Sequence, residues 1–188
     1  MPRWEPDARA RLEEAALALY SEQGFDQTTV EDIARRAGLT KRTFFRHFAD
    51  KREALFDGGD VEGFVVAAVE SAPANATALD AVGHGLDLLA GALEEQGDQA
   101  VQRIRIVRAS PELWERQLIK FASLAEAIAR ALRARGVSDP AAILAAESGM
   151  AALRVASDRW AGDPKKPSLR RLLKEAVAEL RAVASPAL

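Results

Sequence analysis

Seven cations within residues 35–52 are the part of this sequence whose chemistry stands out first. They are Arg35, Arg36, Lys41, Arg42, Arg46, Lys51 and Arg52, and one anion, Asp50, lies among them. The chain as a whole is slightly acidic, since its 188 residues carry a net charge of −2. Lys and Arg neutralise phosphates and supply most of the sequence-independent affinity of proteins for DNA. Such a concentration of positive charge therefore indicates a surface for a polyanion such as duplex DNA.

Two short helices joined by a tight turn are predicted to position these cations. Thr28 or Thr29 can cap the first helix, whose apolar side chains recur at intervals of three and four residues. Gly38 is expected to end that helix, because glycine adopts a positive φ at the lowest cost. Thr40 can then cap a second helix after one intervening residue, so the turn is short.

The second helix is predicted to have an apolar back and a cationic front. Phe44 and Phe48 share one face, and the 100° step between helical residues puts Arg42 and Arg46 on the opposite one. A helix of this kind suits the major groove of DNA. The pattern therefore predicts a helix-turn-helix over residues 28–51, in preference to an ordinary solvated face.

The N-terminal sequence resembles a known family. A helical pattern, the pair Gly24-Phe25 and the stretch TTVEDIARRAGLTKRTFFRHFADKREALF are similar to the N-terminal domain of TetR/AcrR-type transcriptional regulators. The resemblance covers about residues 8–56. It implies a homodimer whose two N-terminal domains enter successive major grooves of a palindromic operator. It also implies that the C-terminal helices form the dimer interface and a cavity for a small-molecule effector.

The resemblance further implies which residues contact DNA. These are Thr29, Thr40, Lys41, Arg42, Thr43, Phe45, His47 and Lys51. Lys41 and Arg42 are expected at base edges, because a bidentate Lys or Arg on guanine is the commonest specific contact. Lys51 is expected at a phosphate. Phe45 replaces the Tyr of most relatives, so a hydroxyl-to-phosphate hydrogen bond is lost and an apolar contact, for example to a thymine methyl, remains.

Helical spacing of apolar residues continues through the rest of the chain, and no strand pattern competes with it. We expect an all-α protein of about nine helices. An N-terminal three-helix helix-turn-helix domain occupies residues 1–56, and a C-terminal helical domain for effector binding and dimerisation occupies residues 57–188. The later helices are predicted at residues 53–71, 77–96, 99–110, 111–135, 139–160 and 169–183.

The C-terminal domain offers candidates for both functions that the resemblance implies. The segment 141–160, rich in small side chains, and the Leu-rich segment 169–183 are the candidates for the dimer interface, because such helices pack closely. Six side chains are candidates to line the effector cavity, namely Phe64, Arg103, Trp114, Phe121, Met150 and Arg154. The apolar ones would also fit an ordinary hydrophobic core, so both interpretations stay open.

Two segments have alternative interpretations. Residues 1–6 contain two prolines and form either a disordered tail or an arm that reaches toward DNA, and Asp7 can cap the helix that follows. Gly58 and Gly59 form either a kink between domains or a loop after which a helix restarts at Asp60.

Several classes of protein are not expected. The sequence contains no Cys, which excludes a disulfide framework and a thiolate metal site, and no metal or cofactor is expected. No enzyme signature is found, and the two histidines, His47 and His84, are far apart in sequence. No stretch is apolar enough to span a membrane or to act as a secretory signal, so a cytoplasmic protein is expected.

The predicted function is that of a ligand-responsive transcriptional repressor, which binds its operator as a homodimer and is released by a small-molecule effector. The alternative is a helical ligand-binding or scaffold protein whose N-terminal domain does not read DNA, and Phe45 is the residue that favours it. Salt-dependent binding to duplex DNA separates the two functions.

Overall fold

A computed structural model describes residues 8–56, 59–163 and 167–184. Within these residues the chain forms ten α-helices and no strand, so the predicted all-α class is confirmed. The helices are α1 (Ala8–Gln23), α2 (Val30–Arg36), α3 (Lys41–His47), α4 (Glu53–Phe56), α5 (Val61–Glu70), α6 (Ala78–Gln96), α7 (Asp98–Ala109), α8 (Pro111–Ala134), α9 (Asp139–Gly162) and α10 (Leu169–Ala184). None of these helices is both long and apolar enough to cross a membrane. Residues 1–6, the predicted cap Asp7 and Gly58 lie outside the described residues.

The helix predicted over residues 53–71 is in fact two helices, α4 and α5. Gly59 has a φ of 97°, a left-handed conformation that glycine adopts at little cost. Asp60 then caps α5, because its carboxylate accepts a hydrogen bond from the Gly63 backbone N–H at 2.8 Å. A helix therefore restarts after Asp60, as one of the two interpretations predicts, and the kink between domains stays a prediction.

The chain divides into two compact units. The first consists of Met1–Gly59 and Arg105–Gln117, and the second of Asp60–Ile104 and Leu118–Leu188. One boundary therefore lies between Gly59 and Asp60, and the other two fall inside α7 and α8. Nothing in the sequence pattern indicated that residues 105–117 would pack with the N-terminal helices. The functional division predicted between residues 56 and 57 stays a prediction.

The core of the first unit is built where α1 meets α2, α3 and α4. Phe44 and Ile33 are fully buried in it. Tyr20 and Phe25 meet edge to face, with their ring centroids 5.2 Å apart. Apolar side chains from α7 and α8 complete this core, namely Ile106, Val107 and Leu113. Packing against α1 therefore fixes the positions of α2 and α3.

The core of the second unit lies among α5, α6, α9 and α10, and buried side chains of α8 and of the first part of α7 belong to it as well. Ten residues of α9 are buried, and most of them are alanines, so neighbouring helices pack closely on more than one side of it. A Cβ atom at Gly149 would overlap the side chain of Val82, so glycine permits α9 to lie this close to α6.

Candidate nucleic-acid interface

Thr29 begins α2 with a reciprocal cap. Its hydroxyl accepts a hydrogen bond from the Asp32 backbone N–H at 3.1 Å, and the Asp32 carboxylate accepts one from the Thr29 N–H, also at 3.1 Å. Hydrogen bonds from Thr29, with a further one from Arg35, lower the pKa of Asp32. Thr28, the alternative cap, is buried and donates to the Gly24 carbonyl at 2.8 Å. The start of α2 is thus fixed at one residue.

The turn between α2 and α3 is closed by backbone hydrogen bonds. Gly38 has a φ of 66°, and the Leu39 N–H donates to the Ala34 carbonyl at 2.8 Å, a common way for a helix to end at glycine. Thr40 caps α3, because its hydroxyl accepts a hydrogen bond from the Thr43 N–H at 3.1 Å. The predicted helix-turn-helix geometry is therefore confirmed at its turn and at both caps.

Helix α3 presents one apolar and one cationic side, as its sequence predicts. Phe44 and Phe48 point into the core and are 0% and 2% exposed. Arg42 and Arg46 are exposed. Phe45 is 49% exposed and meets Phe44 edge-on, with ring centroids 5.6 Å apart. We call the outward side formed by Arg42, Phe45 and Arg46 the α3 face.

Five of the seven cations within residues 35–52 are committed to partners inside the first unit. Arg35 pairs with Asp32, Arg36 with Glu22, Lys41 with Glu31, and Arg52 with Asp50 and Glu112, while Lys51 binds two backbone carbonyls. Among the described residues, Arg42 and Arg46 have no carboxylate partner, and Arg46 only approaches a ring nitrogen of His47 at 3.5 Å. The positive charge left for an outside anion is therefore concentrated on the α3 face.

Lys51 is anchored inside the first unit. Its Nζ atom donates to the carbonyls of Phe25 and Thr28 at 2.8 and 3.1 Å, and lies 4.0 Å from the centroid of the Phe25 ring. The Tyr20 hydroxyl donates to the Lys51 carbonyl at 2.6 Å, and burial raises the pKa of Tyr20 well above its ordinary range. Lys51 therefore holds the chain immediately before the Thr29 cap. An ammonium group has three N–H donors, so one remains for the predicted phosphate.

The other predicted DNA contacts lie on or beside α3. The hydroxyl oxygens of Thr40 and Thr43 are 3.0 Å apart at its start. His47 is half-buried in its last turn, with its ring centroid 6.4 Å from that of Phe48. The structure therefore brings six of the eight predicted residues together on one seven-residue helix and its cap.

Four of the effector candidates belong to different environments within the second unit. Met150 is buried in the core of this unit, and Phe121 packs against the same core. Phe64 is 46% exposed, and Arg154 is exposed as well. The structure thus brings Met150 and Phe121 to one core and leaves Phe64 and Arg154 at the surface.

The remaining two effector candidates lie in different units. Arg103 belongs to the second unit and donates to the Gln96 side chain at 2.9 Å. Trp114 belongs to the first unit, where the Arg108 guanidinium carbon lies 3.7 Å from the centroid of a Trp114 ring. The packing of Trp114 with the N-terminal helices depends on the fold, and no local sequence signal indicates it.

Two open grooves stand out in the described part of the chain. One, in the second unit, has a volume of about 390 Å³, and Asp60, Glu62, Glu70 and Arg130 are among its lining residues. The other, in the first unit, has a volume of about 440 Å³ and is lined by the α1–α2 turn and the end of α7. None of the six effector candidates lines either groove. Among the described residues, no three metal-ligating side chains are grouped closely enough to hold a metal ion.

The sequence is similar to known regulators. The profile of bacterial regulatory proteins of the tetR family matches residues 12–57. The HTH-type transcriptional regulator TcmR of Streptomyces glaucescens is 32% identical over 134 residues, which are 68% of this chain and 59% of TcmR. The chain spans about three-fifths of the length of the first relatives it matches. These proteins are regulators and not enzymes, in agreement with the prediction from the sequence.

Solved structures share the fold. SmeT, the repressor of the multidrug efflux pump SmeDEF of Stenotrophomonas maltophilia, aligns in its triclosan complex with a TM-score of 0.68, at 20% identity, over 95% of this chain and 91% of SmeT. The repressor FadR of Thermus thermophilus, in complex with lauroyl-CoA, aligns with a TM-score of 0.59, at 20% identity, over 96% of each chain. At these identities the likeness concerns the fold alone.

Proposed function

The N-terminal domain of this chain is that of a TetR/AcrR-family regulator, and from that premise we propose that the protein is a ligand-responsive transcriptional repressor. It binds a palindromic operator in the cytoplasm as a homodimer, with α3 of each copy in a major groove, and a small-molecule effector releases it. The observation that carries the proposal is the α3 face, where two guanidinium groups stand exposed while the cations around them are committed to partners. A guanidinium is suited to both phosphates and guanine edges.

The proposed contacts with DNA divide by chemistry. Arg42 reads a base edge, and Lys41 joins it when its carboxylate partner releases it. Phe45, which is 49% exposed, makes an apolar contact such as one with a thymine methyl. Phosphates and sugars are contacted by the remaining donor of Lys51 and by four further side chains. These are the hydroxyl groups of Thr29, Thr40 and Thr43 and the imidazole of His47. Such contacts fix register, while base contacts specify sequence.

Arg46 is an addition to the DNA contacts that the resemblance implies. It lies one helical turn after Arg42 and is exposed on the same side of α3. Its only described hydrogen-bonding neighbour is a ring nitrogen of His47 at 3.5 Å, which is a weak contact. We therefore assign Arg46 to a phosphate beside the groove.

The homodimer is proposed to form through α9 and α10. An exposed apolar stripe on α9 supports this assignment, because Leu144 is 67% and Val155 is 47% exposed and Ala151 lies between them at helical spacing. A Leu144→Arg variant should dissociate into single chains in analytical ultracentrifugation. The matched control is Leu118→Arg on α8, where the leucine is 42% exposed, and it should remain dimeric. Equal behaviour of the two variants would contradict the proposed interface.

The effector is proposed to bind in the second unit, whose core is apolar. SmeT with triclosan and FadR with lauroyl-CoA are precedents for small molecules on this fold. Met150 is buried in this core and Phe121 packs against it, so these two are the first candidates for apolar contacts. The dimer can hold its two N-terminal domains at different spacings. A ligand that binds the dimer more tightly at one spacing than at another changes operator affinity by that difference in binding free energy, and couplings of about 1–3 kcal/mol are usual.

Binding of the purified protein to DNA from upstream of its own and neighbouring genes tests the proposed function. The measurement is a titration across a salt series, with excess nonspecific competitor. We expect saturable binding of two protomers to one palindromic site, with affinity that falls as salt rises. Weak binding that the competitor abolishes on every fragment would favour the alternative, a helical ligand-binding or scaffold protein.

A further inference from the structure

We propose that Arg11 is a positioning residue for DNA recognition, because it ties the turn of the helix-turn-helix to α1. It holds α3 at the angle that base contacts require, and it binds no phosphate itself. This role rests on the proposed function, since it adds a residue to the machinery of the same interface.

The contact joins α1 to the end of α2. The Nη2 atom of Arg11 donates a hydrogen bond to the carbonyl of Ala37, the residue that follows α2. Arg11 is half-buried, and Ala37 is 6% exposed. A hydrogen bond from a charged donor is stronger than a neutral one, and partial burial reduces its screening by water. The turn is therefore fixed to α1 as well as by its own backbone.

The backbone of the turn leaves the Ala37 carbonyl to Arg11. At the end of a helix, the last carbonyls have no partner within the helix. The carbonyls of Ile33, Ala34 and Arg35 accept hydrogen bonds from the three backbone N–H groups that follow α2. The Ala37 carbonyl accepts one from the guanidinium instead. A substitution at Arg11 thus removes the donor that holds this point of the turn.

Gly38 leaves the space that the guanidinium occupies. Its φ is 66°, and a Cβ atom at this position would lie 2.9 Å from Nη2 of Arg11, closer than real Cβ atoms approach other groups. The guanidinium therefore lies directly against the turn, two residues before the Thr40 cap of α3.

The anchor point on α1 is itself held firmly. Leu12, the neighbour of Arg11, is fully buried in the same core as Phe44 of α3. Lys51 holds the chain before α2 through two backbone carbonyls. The two cations thus hold α2 at both ends, and α3 begins four residues after Ala37. Together these contacts restrict rotation of α3 about the turn.

Base contacts depend on the orientation of α3 more than phosphate contacts do. Hydrogen bonds to base edges weaken steeply when they are misaligned, while attraction between a cation and a phosphate acts over a longer range. A loosened turn must be ordered again when base contacts form, and this ordering costs entropy. Loss of Arg11 should therefore weaken the operator complex more than complexes with arbitrary DNA.

An Arg11→Met variant tests this role, with DNA binding measured at a temperature where the variant is folded. On a palindrome enriched from a random duplex pool with the natural protein, affinity should fall about tenfold, as loss of one charge-assisted hydrogen bond allows. On duplex DNA of arbitrary sequence it should fall less than about twofold. The salt slope should change by less than about 0.3, since no phosphate contact is lost.

Arg11→Lys is the conservative variant. It keeps the charge and an N–H donor for the Ala37 carbonyl, so it should recover about half of the loss on a logarithmic scale. If Arg11→Met does not fold, Arg11→Lys carries the test against the natural protein. The expected loss is then about threefold on the palindrome and none on arbitrary DNA, and equal affinities on both would overturn the role.

Arg36→Met is the matched control. Arg36 also joins α2 to α1, through the Glu22 carboxylate at 2.7 and 2.8 Å, but this contact lies between two side chains that are 47% and 53% exposed. The variant loses the same charge as Arg11→Met. Its affinity for the palindrome should nevertheless fall less than about twofold, because exposed ion pairs contribute little to rigidity or stability.

Each contrary result has a distinct meaning. A salt slope flatter by about 0.9 in Arg11→Met would reveal a direct phosphate contact and overturn the positioning role. Equal losses on the two kinds of DNA would overturn it too, as would a lower urea midpoint with unchanged affinity for the palindrome, or a loss that Arg11→Lys does not relieve. In these cases the proposed function stands. If the natural protein binds no duplex DNA even at low salt, the proposed function fails and the role of Arg11 fails with it.

Discussion

The two units use the same kinds of charged residue for different purposes. In the second unit, Asp87 of α6 binds Arg170 of α10 and lies 3.7 Å from Lys174, so opposite charges join helices that are far apart in sequence. In the first unit, carboxylates neutralise most of the cations around α3, and Arg42 and Arg46 are left exposed. The candidate interface is therefore identified by the cations that have no carboxylate partner among the described residues, more than by the number of cations.

Phe44 and Phe45 provide the sharpest test of the two sides of α3. Phe44 is fully buried, so Phe44→Ala should lower the free energy of unfolding by about 3–5 kcal/mol through lost packing and a cavity. Phe45 is 49% exposed, and Phe45→Ala should change it by no more than about 0.5 kcal/mol. Urea unfolding followed by circular dichroism measures both values. Similar losses from the two substitutions would show that the α3 face is not an open surface.

Lys51 differs from the exposed cations because it holds backbone carbonyls. Lys51→Met removes the hydrogen bonds to Phe25 and Thr28, and should lower the free energy of unfolding by about 1.5–3 kcal/mol. Arg42→Met, which breaks no described contact, should lower it by less than about 0.5 kcal/mol. Thermal unfolding of the two variants makes the comparison. If the two variants unfold at the same temperature, the contacts of Lys51 with the backbone carbonyls do not stabilise the fold.

Arg42 and Arg36 allow a guanidinium group without a described carboxylate partner to be compared with one that is held in an ion pair. Arg42→Ala should cost about 1–3 kcal/mol on the preferred base pair and broaden sequence preference. Arg36 binds the Glu22 carboxylate through two hydrogen bonds, at 2.7 and 2.8 Å, so Arg36→Ala should leave base preference unchanged. Binding to a panel of duplexes that differ at one base pair gives the result. An equal loss of preference in both variants would remove the distinction.

Asp87 should produce the smallest effect and a defined dependence on pH. The hydrogen bond from Arg170 lowers the pKa of Asp87 below its ordinary value of 3.8, so the pair adds stability above that value. This stability is lost as the pH falls through the lowered pKa. Asp87→Asn should cost no more than about 1 kcal/mol at pH 7, because the cationic partners Arg170 and Lys174 are exposed and solvent screens their charges. The urea midpoints of the variant and the natural protein should differ less at pH 3 than at pH 7.

Features set by neighbouring residues were predictable from the sequence. The Thr40 cap, the glycine turn and the opposite faces of α3 each depend on residues within one or two helical turns. The start of α2 was narrowed to two threonines, and burial of Thr28 selects Thr29. The sequence did not decide whether α4 and α5 would be separate helices, because the glycines before Asp60 fit both a kink between domains and a loop before a new helix.

Features set by distant contacts were not predictable. The partner of Arg36 is Glu22, fourteen positions away on another helix, so a count of charges within residues 35–52 overstated the available positive charge. The packing of residues 105–117 with the first unit had no signal in their local pattern. It places Trp114 in a different unit from Met150.

The salt dependence of duplex DNA binding, compared between the natural protein and the Arg42→Ala/Arg46→Ala double variant, tests the central claim most directly. Each phosphate contact contributes about 0.9 to the slope of log affinity against log salt, so the loss of both guanidinium groups should flatten the slope by between one and two units. The variant should unfold at the same urea concentration, because neither side chain is buried. An unchanged slope would contradict the account, since the charge that binds DNA would then lie away from the α3 face.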